Sequence, residues 1–230
     1  MKLNLKKIPK NPIIIEGFPG FGLIGTITTE FLAEHLKVEQ IGEFVYDELQ
    51  PIVAVHKGKL VKPMTVFYSK QYNIIILHTI LNVQGFEWQL AEQVLELAKK
   101  TNAKEIISIE GVNTPNLPAN QTKLFYFGDE KLGKLGAEPI KESIIMGVTA
   151  AIMTRYNKVK CIFAGTHSAM PDSKAAAEVI KLLDKYLKLK VDYKPLLKQA
   201  TAFESKLKGI MQQSQQMNKE VDKKKLSYLG

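Results

Sequence analysis

The sequence predicts an α/β fold: a three-layer α/β/α sandwich with a mostly parallel central sheet, plus a long C-terminal helix and a flexible tail. Three observations predict it. Short apolar runs bounded by glycine or proline recur along the chain, the pattern of strands buried on both faces. Stretches with apolar residues at helical spacing lie between them. The strand, helix, strand order of residues 73–111 is a βαβ unit, whose right-handed crossover makes its strands parallel.

Ile13, Ile14 and Ile15, bounded by Pro12 and Gly17, read as a short buried strand. Ile24, Ile27, Phe31 and Leu32 then recur at helical spacing, so a helix follows the glycine turn directly. Residues 40–46 are a second apolar run. Residues 52–56 and 64–69 flank Lys57-Gly58-Lys59 and predict short antiparallel additions. Residues 73–79 form a continuous apolar strand. Gly85 opens a helix whose apolar face is Trp88, Ala91, Val94, Leu95 and Ala98, ending near Thr101-Asn102. Residues 104–111 are the next strand, and residues 113–121, with two prolines and three asparagines, are a loop. A short strand at 124–127, a helix at 147–156 and a buried strand at 159–164 follow. Asp172 or Ser173 caps a last domain helix carrying Ala176, Val179, Ile180, Leu183 and Leu187 on one side.

No linker interrupts residues 1–192, which form one α/β/α domain. In the 193–222 helix, Leu196, Ala200, Phe203, Leu207, Ile210, Met217 and Val221 step by fours and threes, with Ser214 filling the one gap, a seam that calls for a partner helix. Residues 223–230 are a charged tail ending in Leu226, Tyr228 and Leu229, apolar residues that a merely solvated chain end lacks.

The formal charge of +9 invites a nucleic-acid partner, yet Arg155 is the only arginine, and base readout leans on the planar guanidinium. No nucleic acid is expected. No apolar run approaches the roughly 20 residues that span a bilayer, and the N-terminus has no long apolar segment, so no membrane partner and a cytoplasmic location are expected. Cys161 lies in an apolar run and has no second cysteine to pair with, which gives it a packing role.

Gly20, Gly22 and Gly25 spell G-x-G-x-x-G between a strand and a helix, the context of a dinucleotide turn. Phe18, Pro19, Phe21 and Leu23 stand where small or polar residues usually face a pyrophosphate. The other reading is that these glycines pack a helix closely onto a sheet and turn apolar side chains toward a partner. Gly20 and Gly22, Gln84, Glu110 and Asn113, and His167 and Ser168 all follow strands and would converge on the crevice at the strands' carboxyl ends. There His167 would serve as general acid or base with Glu110 beside it, the chemistry of a nucleotide- or nucleoside-binding enzyme. The chain shows no dense acidic cluster for a metal and no G-x-S-x-G motif, so neither metal nor cofactor is expected.

The turn at residues 17–25, the strand and turn Ile106-Ile-Ser-Ile-Glu-Gly-Val112 and the helix start Pro171-Asp-Ser-Lys-Ala-Ala-Ala177 together resemble the archaeal form of the proteasome assembly chaperone family, also labelled proteasome assembly chaperone 2 or ATP-grasp superfamily. The resemblance runs from about Pro12 to Leu207. It implies a phosphorylase-like α/β/α domain that forms homo-oligomers and has no established enzymatic activity. Archaeal members are similar in carrying a hydrophobic-Tyr-X tail that docks between neighbouring α subunits of the 20S proteasome core particle. By that likeness Leu226, Tyr228, Leu229 and Gly230 are the partner-binding residues, although Tyr228 stands third from the end and Ser227 precedes it. One extra residue moves the chain end by up to about 3.5 Å.

Overall fold

The structure, a computed structural model, describes residues 1–46, 53–56, 59–114, 118, 121–167, 169–198, 205 and 208–209. The strands are β1 (Lys2–Leu5), β2 (Ile13–Gly17), β3 (Glu39–Val45), β4 (Ala54–His56), β5 (Lys59–Val61) and β6 (Met64–Ser69). They continue with β7 (Ile74–Thr79), β8 (Glu105–Asn113), β9 (Leu124–Phe127), β10 (Glu138–Pro139) and β11 (Val159–Thr166). Helices are α1 (Ile24–His35), α2 (Glu87–Thr101), α3 (Glu130–Lys134), α4 (Gly147–Met153) and α5 (Ser173–Leu187).

One nine-stranded sheet runs β1-β3-β6-β7-β2-β8-β11-β9-β10, and β4 and β5 pair by themselves. Its centre is parallel: β2 lies between β7 and β8, and β11 continues beyond β8, with Ile14 opposite both Ile75 and Ile106. The sheet is mixed, so the expected mostly parallel sheet is borne out only in part, at its centre. β6, β3 and β1 are antiparallel additions on one flank, and β9 runs antiparallel to β11 on the other. The reason is local: only a few residues separate β6 from β7, enough for a turn and far too few for a crossover.

Strand alternation sends side chains to two cores. Ile14, Ile75, Leu77, Ile106, Cys161 and Phe163 face α2 and α4, whereas Ile15, Ile76, Ile107, Ile109 and Ile162 face α1 and α5. Each fully buried Ile, Leu or Phe contributes about 1.5–3 kcal/mol. The helices therefore flank the sheet as two layers. α2 buries Leu90, Ala91, Val94, Leu97 and Ala98, a face turned slightly from the expected one. Trp88 stays 51% exposed with the Arg155 guanidinium 4.4 Å from its ring centroid, and Leu95 is only partly buried. Asp172 caps α5 by accepting a hydrogen bond from the Ala175 N–H at 2.9 Å, and its other oxygen accepts from the Thr166 hydroxyl at 2.9 Å.

At the opposite end of the sheet, Lys160 pairs with Glu105 at 2.5 Å and Asp129 at 2.7 Å, and the Tyr186 hydroxyl donates to Asp129 at 2.7 Å. Burial alone would raise the Asp129 pKa, but the donors Lys160, the Lys131 N–H and Tyr186 outweigh it and hold the carboxyl far below its usual range. Lys160→Met, which keeps the apolar stem and strands two carboxylates, should lower stability by about 2–4 kcal/mol, read as a fall in the urea midpoint.

Beyond α5, residues 194–198 are helical and Leu196 is buried in the core under α1 and α5. Helical backbone recurs at 205 and 208–209. The rest of the expected 193–222 helix and the 223–230 tail lie outside the described residues.

Candidate functional site

The carboxyl ends of the parallel strands meet the glycine turn. After Gly17 the chain passes through Phe18-Pro19-Gly20 into one 3-10 turn, Phe21–Leu23, and then α1. A Cβ on Gly17 would stand 2.4 Å from the Gly25 carbonyl oxygen, and one on Gly25 would stand 2.6 Å from that of Ile109. α1 is thus seated directly on β2 and β8. A Cβ on Gly111 would stand 1.8 Å from the Phe21 oxygen. Gly22, at φ 67°, makes the left-handed step of the turn, and its carbonyl accepts from the Asp172 N–H at 2.9 Å. Gly20 serves differently: a Cβ there would fall 1.7 Å from Glu110 Oε1, so its bare backbone makes room for a carboxyl.

That carboxyl belongs to a cleft of about 600 Å³, walled by the turn (Phe18 to Phe21), the end of β8 (Glu110 to Asn113), residues 82–84 with Glu87, and the stretch 143–148 leading into α4. The walls are largely apolar. Beneath them four polar side chains form a chain: the Ser108 hydroxyl donates to Glu16, Ser108 and Thr149 Oγ1 lie 2.7 Å apart, and Thr149 donates to Glu110 Oε2 at 3.4 Å. Register explains the stacking. Glu16 pairs with Ser108 across β2 and β8, so Glu110 stands one pleat above it on the same face, under the first turn of α4.

Both carboxyls hold their protons unusually tightly. Burial pushes Glu16, only 1% exposed, up to about 8, and the nearby Glu110 charge adds to this against hydrogen bonds from Ser108 and the Phe18 backbone. Burial likewise pushes Glu110 up to about 7 against donors from the Gly111 backbone, Thr149 and the Phe21 backbone. Glu16 Oε2 has no hydrogen-bond partner among the described residues. Cys161, beside them on β11, is driven up to about 12 by burial and then by the two acids, which suits a packing role rather than a nucleophile.

Of the residues singled out from the sequence, the structure brings Gly20 and Glu110 together in the cleft, with Gln84 and Asn113 on its wall. Gly22 and Gly25 lie behind it in the packing of α1, and His167 is exposed and is not among the lining residues. The Glu110 carboxyl occupies the space beside Gly20 where a pyrophosphate would approach, so the bare backbone there is already taken up by a side chain of the protein itself. Sequence reasoning passed over Glu16, Ser108 and Thr149. The signal was a repeated word: Ile15-Glu16-Gly17 and Ile109-Glu110-Gly111 lie in neighbouring parallel strands, each placing an acid within an otherwise apolar run.

The PAC2 family model matches residues 14–211. An uncharacterised protein of Methanocaldococcus jannaschii is 27% identical over 218 residues, covering 90% of this chain and 89% of its own. The crystal structure of Pyrococcus furiosus PbaA, described as an archaeal homolog of proteasome-assembly chaperone, matches with a TM-score of 0.83 at 28% identity, over 94% of this chain and 100% of that one. Pyrococcus furiosus PbaB, described as an archaeal proteasome activator, shares the fold with a TM-score of 0.73 at 21% identity, over 91% of this chain and 98% of its own. With the same α/β sandwich and a match across most of its length, the chain belongs to the PAC2 family.

Proposed function

We propose that the chain is a non-enzymatic proteasome assembly chaperone or core-particle adaptor, a homo-oligomer that docks its C-terminal tail into pockets of the 20S proteasome α ring. The observation that carries this is the match to PbaA along nearly the whole chain at 28% identity. The anchor residues are Leu226, Tyr228, Leu229 and Gly230, at the tip of a lysine-rich spacer. Several weak tails on one oligomer would bind tightly through effective concentration. The crevice favours this reading over nucleotide chemistry, since its charged lining residues among those described are acids.

The test compares the full chain with a version ending at Lys225 for binding to core particles of the same source. Loss of binding on truncation, by about tenfold or more, is the expected result, since each 1.4 kcal/mol of anchor contact is a factor of ten. Equal binding of both forms would move the contact to the globular domain, and binding by neither would end the proteasome assignment.

A further inference from the structure

The cleft is acidic in a basic chain. Its charged lining residues among those described are Glu87 and Glu110, with no lysine or arginine, in a protein of formal charge +9. One pleat below Glu110 lies Glu16, whose Oε2 is buried without a partner. Above the acids the rim is apolar and open: Ile144 is 87% and Met146 76% exposed, large side chains left facing solvent beside a concave surface. Acids with no paired cation among the described residues, set under an apolar rim, are matched by a cation carried on an apolar body.

The chain carries such a body outside the described residues, in Lys223-Lys-Lys-Leu-Ser-Tyr-Leu229. We propose that this segment folds back into the cleft of its own chain, with Lys225 directed at Glu87 and Glu110 and with Leu226 and Tyr228 covering Ile144 and Met146. A lysine suits the slot because its four-carbon stem packs on apolar walls while the ammonium reaches an acid at the floor. The length suffices. From residue 209 the chain to Lys225 spans up to about 55 Å extended, and the longest strand crosses the sheet in about 30 Å. The cation would also hold Glu110 ionised, against the burial that pushes it up to about 7. Docked in this way, the tail is stored on its own domain and must leave the cleft before it can meet anything else.

The test uses the full chain alone. Ser143, exposed on the cleft wall, and Ser227 in the tail are changed to cysteine together; the control pairs Ser227→Cys with Lys70→Cys, exposed in the β6–β7 turn at the amino ends of the parallel strands, away from the cleft. The native Cys161 is buried and stays. Under mild oxidation at low salt, the Ser143→Cys pair should close a disulfide within one chain about tenfold faster than the control pair. Adding Glu87→Gln, or raising the salt until the Debye length falls to about 3 Å, should remove most of that advantage. Equal rates for the two pairs, a preference untouched by both treatments, or a preferred link between chains would overturn the proposal. Because no proteasome is present, this result is separate from the truncation assay.

Discussion

Glu16→Met is expected to make the protein more stable at pH 8, by about 2–4 kcal/mol, while changing stability little near pH 4.5. The native carboxyl is fully buried, and its pKa is raised from 4.5 to about 8. Below about pH 4.5 both the folded and the unfolded chain carry the proton, and the acid is almost harmless. As pH rises toward 8 the unfolded chain ionises while the folded one keeps its proton, so native stability is lost progressively through that window. Methionine fills similar volume, removes the unpartnered Oε2, and leaves Ser108 still bonded to Thr149. Urea midpoints of the two proteins at pH 5 and pH 8 decide the matter. Parallel pH profiles would show that Glu16 ionises as easily folded as unfolded.

Gly111→Ala should be the most damaging single methyl in the molecule, costing about 3–5 kcal/mol or preventing folding. The obstacle is backbone: the Phe21 carbonyl oxygen would stand 1.8 Å from the new Cβ, and it belongs to a turn pinned between β2 and α1. Neither strand can retreat without opening the parallel centre of the sheet. Gly20→Ala makes the informative contrast, because what its methyl meets is the far end of the Glu110 side chain. Glu110 can swing into the cleft, so this variant should lose about 1 kcal/mol or less. Thermal unfolding of the two variants side by side gives the comparison, and equal losses would mean that the turn rather than Glu110 yields at both places.

The centre of the fold was legible because isoleucine runs such as 13–15 and 74–76 admit few alternatives to strands buried on both faces, and α1, α2 and α5 carry apolar stripes at helical spacing. The antiparallel flanks were harder to read, since parallel and antiparallel strands of a buried sheet use the same residues and pairing is settled by connection length. β1 escaped notice because Leu3 and Leu5 alternate with polar neighbours over four residues, too short a run to stand out from a lysine-rich terminus. α3 and β10 are shorter still. In the site, Gly20 was found by its place after a strand and Glu110 by standing toward the carboxyl end of one, whereas Glu16 was hidden by following a run of isoleucines. His167 was drawn in by its residue type, yet one position past β11 the chain already turns it outward.

The borders of the sheet have a further consequence. On one side β1 is outermost, and its Leu3 N–H, which a newcomer strand would seek, already donates to Gln93 of α2 at 3.0 Å. On the other side the last strand is Glu138–Pro139, two residues long and ending in a residue with no N–H to offer. Strand addition at either end of the nine-stranded sheet is thereby disfavoured.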